Sequence, residues 1–279
     1  RTSLLASHAI DCRTRRGIPD EAIAQEAFRS SVRGNKAILS AMESEFGIEA
    51  LVECGLWSPA SARKGARPNP IFYGYGNSGK KDENGAMVRA WTEPVLIPYW
   101  DPRNPDSCFY LRPHKDGVAG HDAHLYVPRG QPERIRKVMV TEGEFKALAF
   151  LQAGIPGVGA CAIPGISMVR EDSPGSMSVL GELWAWLDQI GAREVVVVFD
   201  NEDKSLRVPD KKKRYEAERW ARYLAIIVAK RGVRGLVGRL PEEWREGGEE
   251  RDGKQVGGKV DWDSALARLR RLGMPPGDV

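Results

Sequence analysis

Through the first 60 or so residues, apolar side chains recur three and four positions apart. Ile23, Ala27 and the stretch 37–54 follow this spacing, and Gly17, Gly34, Gly47 and Gly55 punctuate it. That pattern predicts short helices gathered in a small bundle. Residues 58–85 are rich in Gly, Pro, Lys and Asn and poor in aliphatics, which predicts a loop or mobile insertion around a short Ile71-Phe72-Tyr73 strand. Runs at 94–100, 108–112 and 124–127, separated by Pro, Asp and Gly, then read as strands of an antiparallel sheet.

From Arg136 the pattern changes to strands alternating with helices. Val138-Met139-Val140 reads as a strand, 145–152 as a helix, 160–163 as a strand, and 180–190 as a helix. The strongest strand, Glu194-Val195-Val196-Val197-Val198-Phe199, follows, with helices over 214–231 and 263–272 closing the chain. This order predicts an α/β domain with a mainly parallel sheet and crossover helices. The valine run is apolar without alternation, as a central strand covered on both faces should be. The division expected is an α+β N-terminal subdomain over 1–134, helical and then antiparallel, and a parallel-sheet domain over 135–279.

Composition adds limits. At 279 residues and 42% hydrophobic, the chain is long enough for two modest cores. The longest apolar stretch, 223–229, is broken by Lys230 and Arg231 and falls far short of the roughly 20 residues that span a bilayer. The reading is a soluble, cytoplasmic protein with no membrane partner. The start Arg1-Thr2-Ser3 has neither methionine nor a signal-peptide pattern, which predicts a piece of a longer chain. Cys12, Cys54, Cys108 and Cys161 are scattered without a CxxC pair, against a zinc site or a disulfide framework. Net charge is only +4, but Arg13-Thr14-Arg15-Arg16, Lys211-Lys212-Lys213-Arg214 and Arg268-Leu269-Arg270-Arg271 gather cations in patches that suit phosphate contact and read equally as solvated faces. The tryptophans at 184, 186, 220 and 244 are read as packing residues rather than base-stacking platforms.

In open parallel sheets ligands bind beyond the carboxyl ends of the strands. Two acidic clusters fall at such ends. Thr141-Glu142-Gly143-Glu144 follows the first strand, with Gly143 permitting a sharp turn into the helix, and Asp200-Asn201-Glu202-Asp203 follows the valine strand. Hard oxygen ligands from separate strand ends suit magnesium, which keeps waters and accepts phosphate oxygens. Either cluster alone is equally consistent with a capping charge or a solvated turn. Both together point to phosphate chemistry.

Thr141-Glu142-Gly143-Glu144-Phe145-Lys146-Ala147, then Ala162-Ile163-Pro164-Gly165, then Val197-Val198-Phe199-Asp200-Asn201-Glu202, resembles the Toprim signature of an acidic EG motif, a small-residue strand and turn, and a strand ending in DxD. Toprim domains occur in bacterial-type primases, topoisomerases and several nucleases. Upstream, Arg16-Gly17-Ile18, Phe46-Gly47-Ile48, Cys54-Gly55-Leu56, Val95-Leu96-Ile97-Pro98-Tyr99-Trp100-Asp101 and Phe109-Tyr110-Leu111-Arg112 are similar to the segment that precedes Toprim in replicative primases. With His124-Leu125-Tyr126-Val127-Pro128, the closer resemblance is to primase-like Toprim proteins of plasmids and phages. Gly258-Lys259-Val260-Asp261-Trp262-Asp263 resembles the later acidic motif.

The resemblance implies a Toprim-type fold and Mg2+ or Mn2+ as cofactor. It implies Glu142 as the acid/base or metal-ordering carboxylate, Asp200 and Glu202 as catalytic metal ligands, and Asp261 or Asp263 as an auxiliary ligand, with Asp203 a further metal candidate that compensates for the departures below. Arg112, Lys115, Lys146 and Lys204 are the candidates for nucleotide or nucleic-acid phosphates. Two departures stand out. Glu202 replaces the second aspartate of DxD, and Lys146 stands where the replicative enzymes have an aspartate, so that a second metal is weakened or replaced by a fixed positive charge. The implied function is synthesis of short RNA primers from ribonucleoside triphosphates on a single-stranded DNA template, with a replicative helicase as partner. A Toprim nuclease and a catalytically silent DNA-binding module are the alternatives.

Overall fold

The computed structural model describes residues 4–30, 36–53, 57–58, 68–70, 74–81, 87–92, 95–114, 123–169, 176–203, 216–241, 244, 249–251, 254–256 and 258–271. Its contacts divide the chain into two units, Arg1–Ile10 with Ile23–Asp122, and Asp11–Ala22 with Ala123–Val279.

Helices α1 (Ala6–Thr14), α2 (Asp20–Gln25), α3 (Lys36–Phe46) and α4 (Ile48–Glu53) realise the N-terminal spacing, but strands β1 (Arg29–Ser30) and β2 (Trp57–Ser58) are set among them, so the segment is not a pure bundle. Leu51 and Trp57 are buried together against Met42, Ile48 and Val52. The Trp57 indole N–H donates to Glu43 Oε1 at 3.2 Å, which satisfies the polar atom of the buried side chain.

Within 58–85, where composition predicts a loop, β3 (Asn69–Pro70) pairs with β2, and β4 (Gly74–Lys81) pairs antiparallel with β5 (Met87–Thr92). Gly and Asn are poor strand formers, yet strand propensity is weak beside pairing with a partner such as Met-Val-Arg-Ala-Trp-Thr. The Ile71-Phe72-Tyr73 strand expected there lies outside the described residues. Strands β6 (Val95–Asp101) and β7 (Asn104–His114) form the anticipated antiparallel hairpin, with β1 on the other edge of β6. Val95, Leu96, Ile97 and Tyr99 are buried, and the Tyr99 and Tyr110 rings meet edge to face at 5.4 Å.

The second unit is built on β8 (Lys137–Glu142), α5 (Glu144–Gln152), β9 (Val158–Ile163), α6 (Ser176–Ile190), β10 (Glu194–Val198), β11 (Asn201–Asp203), α7 (Glu216–Lys230) and β12 (Arg234–Val237). Four strands form a parallel sheet in the order β12-β10-β8-β9. The valine strand is therefore interior, as its unalternating sequence predicts, and Val195, Val197, Val198 and Phe199 are buried. β12 carries too little signal in Arg-Gly-Leu-Val to be anticipated. Beyond it lie β13 (Glu249–Arg251), β14 (Lys254–Val256), β15 (Gly258–Val260) and α8 (Trp262–Arg271).

Helices cover the sheet through apolar stripes. On α7, Ala217, Ala221, Leu224, Ala225 and Val228 are buried at helical spacing, and on α6 Val179, Leu180, Leu183, Trp186 and Leu187 are. Trp184 and Trp220 pack partly buried against this core. Small alanines let α7 approach the sheet closely, so closely that a Cβ built on Gly235 of β12 falls on the Ala225 carbonyl.

The 124–127 run does not join the antiparallel sheet. Tyr126 forms an isolated antiparallel bridge to Ala162, donating and accepting at 2.9 and 2.8 Å along the open edge of β9. The Gln131 side-chain amide continues this ladder, donating to Ala160 O at 2.8 Å and accepting from Ala160 N at 3.1 Å. An exposed strand edge is thereby closed. The strap is pinned by Glu182, which accepts from Leu125 N at 2.6 Å and contacts His124 Nδ1 at 2.8 Å.

Residues 11–22 belong to this unit as well. Arg16 lies 4.2 Å over the Phe145 ring and pairs with Asp11 at 3.0 Å, Ile18 is fully buried, and a Cβ built on Gly17 would fall 2.9 Å from the Ala267 side chain. Burial pushes the Cys12 thiol up to about 11, against a lowering by Arg16, and burial alone pushes Cys161 up further. Both thiols are protonated packing groups at neutral pH.

Candidate active site

The carboxyl edge of the parallel sheet carries the site. β8 ends at Glu142, and Gly143 at φ 87° turns the chain directly into α5, a left-handed conformation that glycine adopts without a steric penalty. Two donors, one backbone N–H and one hydroxyl, hold the turn. Gly143 N donates to Ile163 O at 3.0 Å, while the buried Thr141 hydroxyl lies 3.2 Å from Gly143 O and 3.3 Å from Cys161 O. The first turn of α5 buries Glu144 and Phe145 and leaves Lys146 one helical turn beyond Glu142.

The neighbouring strand supplies the second carboxylate. β10 pairs with β8 through Val198 and Thr141, so Asp200 emerges beside the Glu142 turn. Lys146 closes the arrangement, its ammonium donating to Asp200 Oδ2 at 2.9 Å and to the Glu142 carbonyl at 3.2 Å. The Asp200 side chain is 6% exposed and that of Lys146 14%, so water screens this pair weakly.

A third segment arrives through a pairing remote in sequence. β11 runs antiparallel to β15, with Asn201 opposite Val260, Glu202 opposite Lys259 and Asp203 opposite Gly258. The register sets Asp261 next to Asp200 along the chain ends. The Trp262 indole N–H donates to Phe199 O at 3.0 Å, and its ring packs on Phe150 at 5.2 Å. Asp261 O accepts from Ala265 N at 3.0 Å, opening α8, which carries Asp263 in its first turn. Replacing Trp262 by Phe keeps an aromatic ring but strips a buried carbonyl of its donor. A loss of about 1–2 kcal/mol is expected, read as a lower urea midpoint at unchanged slope.

Glu142, Lys146 and Asp200 are thus brought to one edge of one sheet, with Asp261 one residue beyond the β11–β15 pairing and Glu202, Asp203 and Asp263 on the backbone segments beside it. Arg112 lies in the other unit, on β7, where its guanidinium donates to the Tyr99 hydroxyl at 3.2 Å. Lys115 and Lys204 lie outside the described residues. Lys146, expected both as a phosphate contact and as a fixed positive charge in place of a second metal, has its ammonium engaged by Asp200. Its position four residues after Glu142 was the available signal. Trp262 was the residue missed as a clamp, since nothing in the sequence says that its partner is the carbonyl of Phe199.

Among the described residues no group of three or more His, Cys, Asp or Glu is gathered as a metal-ligand set. Magnesium, however, commonly contacts only one or two protein carboxylates and keeps its waters. The hard oxygens of Asp200 and Asp261 suit one such ion in donor chemistry, while the ammonium on Asp200 Oδ2 competes for that oxygen.

Residues 133–241 match the model of a domain of unknown function (DUF3854), a span reaching from just before β8 to just after β12 and less than half of the chain. No curated protein sequence matches the chain. Among solved structures, the primase of Aquifex aeolicus, comprising its zinc binding and RNA polymerase domains, superposes with a TM-score of 0.52 at 17% identity, over 96% of this chain and 55% of that one. The fold is that of a primase catalytic core. A DnaG catalytic core gives 0.49 at 17% identity, over 95% of this chain and 69% of its own, and a DNA primase domain from Pseudomonas aeruginosa gives 0.48 at 16%, over 84% and 64%. At such identities the primase-type likeness concerns fold, and chemistry rests on this chain's own residues.

Proposed function

We propose that this chain is the catalytic module of a Toprim-type, primase-like nucleotidyltransferase that makes short RNA primers on single-stranded DNA. The observation that supports this most is the meeting of Glu142 and Asp200 at the ends of neighbouring parallel strands, with Asp261 led to Asp200 by the β11–β15 register. Asp200 and Glu202, with Asp203, Asp261 and Asp263 around them, would hold Mg2+ or Mn2+. Such an ion supplies charge neutralisation to the phosphates when bound.

The chain's own contribution is positioning. Glu142 takes the proton of the primer 3′-hydroxyl, directly or through a bound water, and Lys146 fixes the Asp200 carboxylate. Arg112, Lys115 and Lys204 bind template or nucleotide phosphates. The primer 3′-oxygen then attacks the α-phosphorus in line and pyrophosphate leaves. Ribonucleoside triphosphates, a DNA template, a replicative helicase and a cytoplasmic setting belong to this reading. Among the described residues no helix is long and apolar enough to cross a membrane.

The test is incubation with single-stranded DNA, labelled ribonucleoside triphosphates and Mg2+ or Mn2+. Short, template-dependent, labelled RNA is expected. Loss of input DNA instead would mark a nuclease, and DNA binding with neither product would mark a silent module.

A further inference from the structure

We propose that the Lys146 ammonium is a built-in counter-cation for Asp200, standing in for one divalent ion, so that the site takes up a single metal. This rests on the phosphoryl-transfer reading above. The lysine is not a flexible surface charge that happens to reach a carboxylate. Its Cα is fixed one turn into α5 by the Glu142-Gly143 turn, its side chain is 14% exposed, and two protein oxygens, Asp200 Oδ2 at 2.9 Å and Glu142 O at 3.2 Å, hold the head group.

An ammonium has three donors, so two protein contacts leave one for a phosphate oxygen. A divalent ion on the same Oδ2 would sit a few ångströms from a full positive charge in poorly screened surroundings, and the two cations would repel. The incoming ion is therefore confined to the oxygens away from Lys146, toward Asp261 and the β11 segment. The fixed charge performs part of the neutralisation without needing to be bound, which lowers the metal requirement of the reaction from two ions to one.

The experiment counts Mn2+ per chain by electron paramagnetic resonance of free ion in titrations of purified protein, with circular dichroism as a folding control. One Mn2+ is expected for the wild-type chain and two for Lys146→Asp. Lys146→Gln, which removes the charge and keeps an arm of similar reach, is expected to tighten Mn2+ binding about tenfold. Two ions in the wild-type chain, one in both the wild type and Lys146→Asp, or unchanged affinity in Lys146→Gln would overturn the inference while leaving the proposed function in place. No bound Mn2+ in any variant would instead remove the metal-dependent reading on which it rests.

Discussion

Asp200→Asn is expected to lower ribonucleotide incorporation about a thousandfold, the rate equivalent of roughly 4 kcal/mol. The substitution keeps the shape of the side chain and removes the charge at the centre of the site. Two effects follow, and they are separable. On the proposed reading chemistry fails because the charged partner of Lys146, and with it the proposed metal ligand, becomes a neutral amide. Stability falls by about 3 kcal/mol because the Lys146 ammonium loses a charged partner in a largely buried setting. Binding of single-stranded DNA should change only a few-fold, since phosphate contacts are spread over many cations. Incorporation and gel-shift measurements on the same preparation distinguish a catalytic loss from general unfolding, and an Asp200→Asn variant that polymerises at more than a tenth of the wild-type rate would exclude the catalytic role.

Gly235→Ala is expected to be the most damaging single methyl in the parallel-sheet unit. Its Cβ would fall on the backbone carbonyl of Ala225, so the clash cannot be relieved by a rotamer change and α7 must move off the sheet. Overpacking against backbone costs about 3 kcal/mol or more, a drop in Tm of roughly 6–12 °C for a unit of this size. Gly181→Ala is the control. That glycine lies in α6, where an added Cβ would meet nothing within 4 Å, and alanine there should stabilise the helix by roughly 0.5–1 kcal/mol. Thermal unfolding followed by circular dichroism checks both, and equal Tm values for the two variants would contradict the close approach of α7 and β12.

The parallel-sheet unit was legible where its strands carry an unbroken apolar signal. Ala160 to Ile163 are buried on both faces, while in Val138-Met139-Val140 and the valine run one face is fully buried and the other, at Met139 and Val196, is half-buried under apolar neighbours. β12 is edge-placed and short, and its glycine answers a need of α7 rather than of the strand itself. β4 is concealed for a related reason. Its glycines and asparagine carry no strand signal, and what makes it a strand is the partner β5. The 124–127 run has strand composition, but composition does not name the partner, which proves to be the edge of β9.

The candidate site divides along the same line. Glu142 and Asp200 could be placed because each directly follows a readable strand, and strand ends in a parallel sheet point to one edge. The proximity of Asp261 depends on β11 meeting β15 across a long stretch of chain, which no local pattern encodes. Lys146 was visible as a departure in sequence. Only the fold supplies its partner, the Asp200 carboxylate.

The most direct measurement of the central claim is a crystal of this chain grown with Mn2+ and a nucleoside triphosphate, with manganese located by its anomalous scattering. A peak at the carboxyl edge of β10, with Asp200 or its β11 neighbours at about 2.1 Å or through one water and the triphosphate completing its shell, is the expected result. Manganese bound away from Glu142, Asp200 and Glu202, with the triphosphate following it there, would contradict the account.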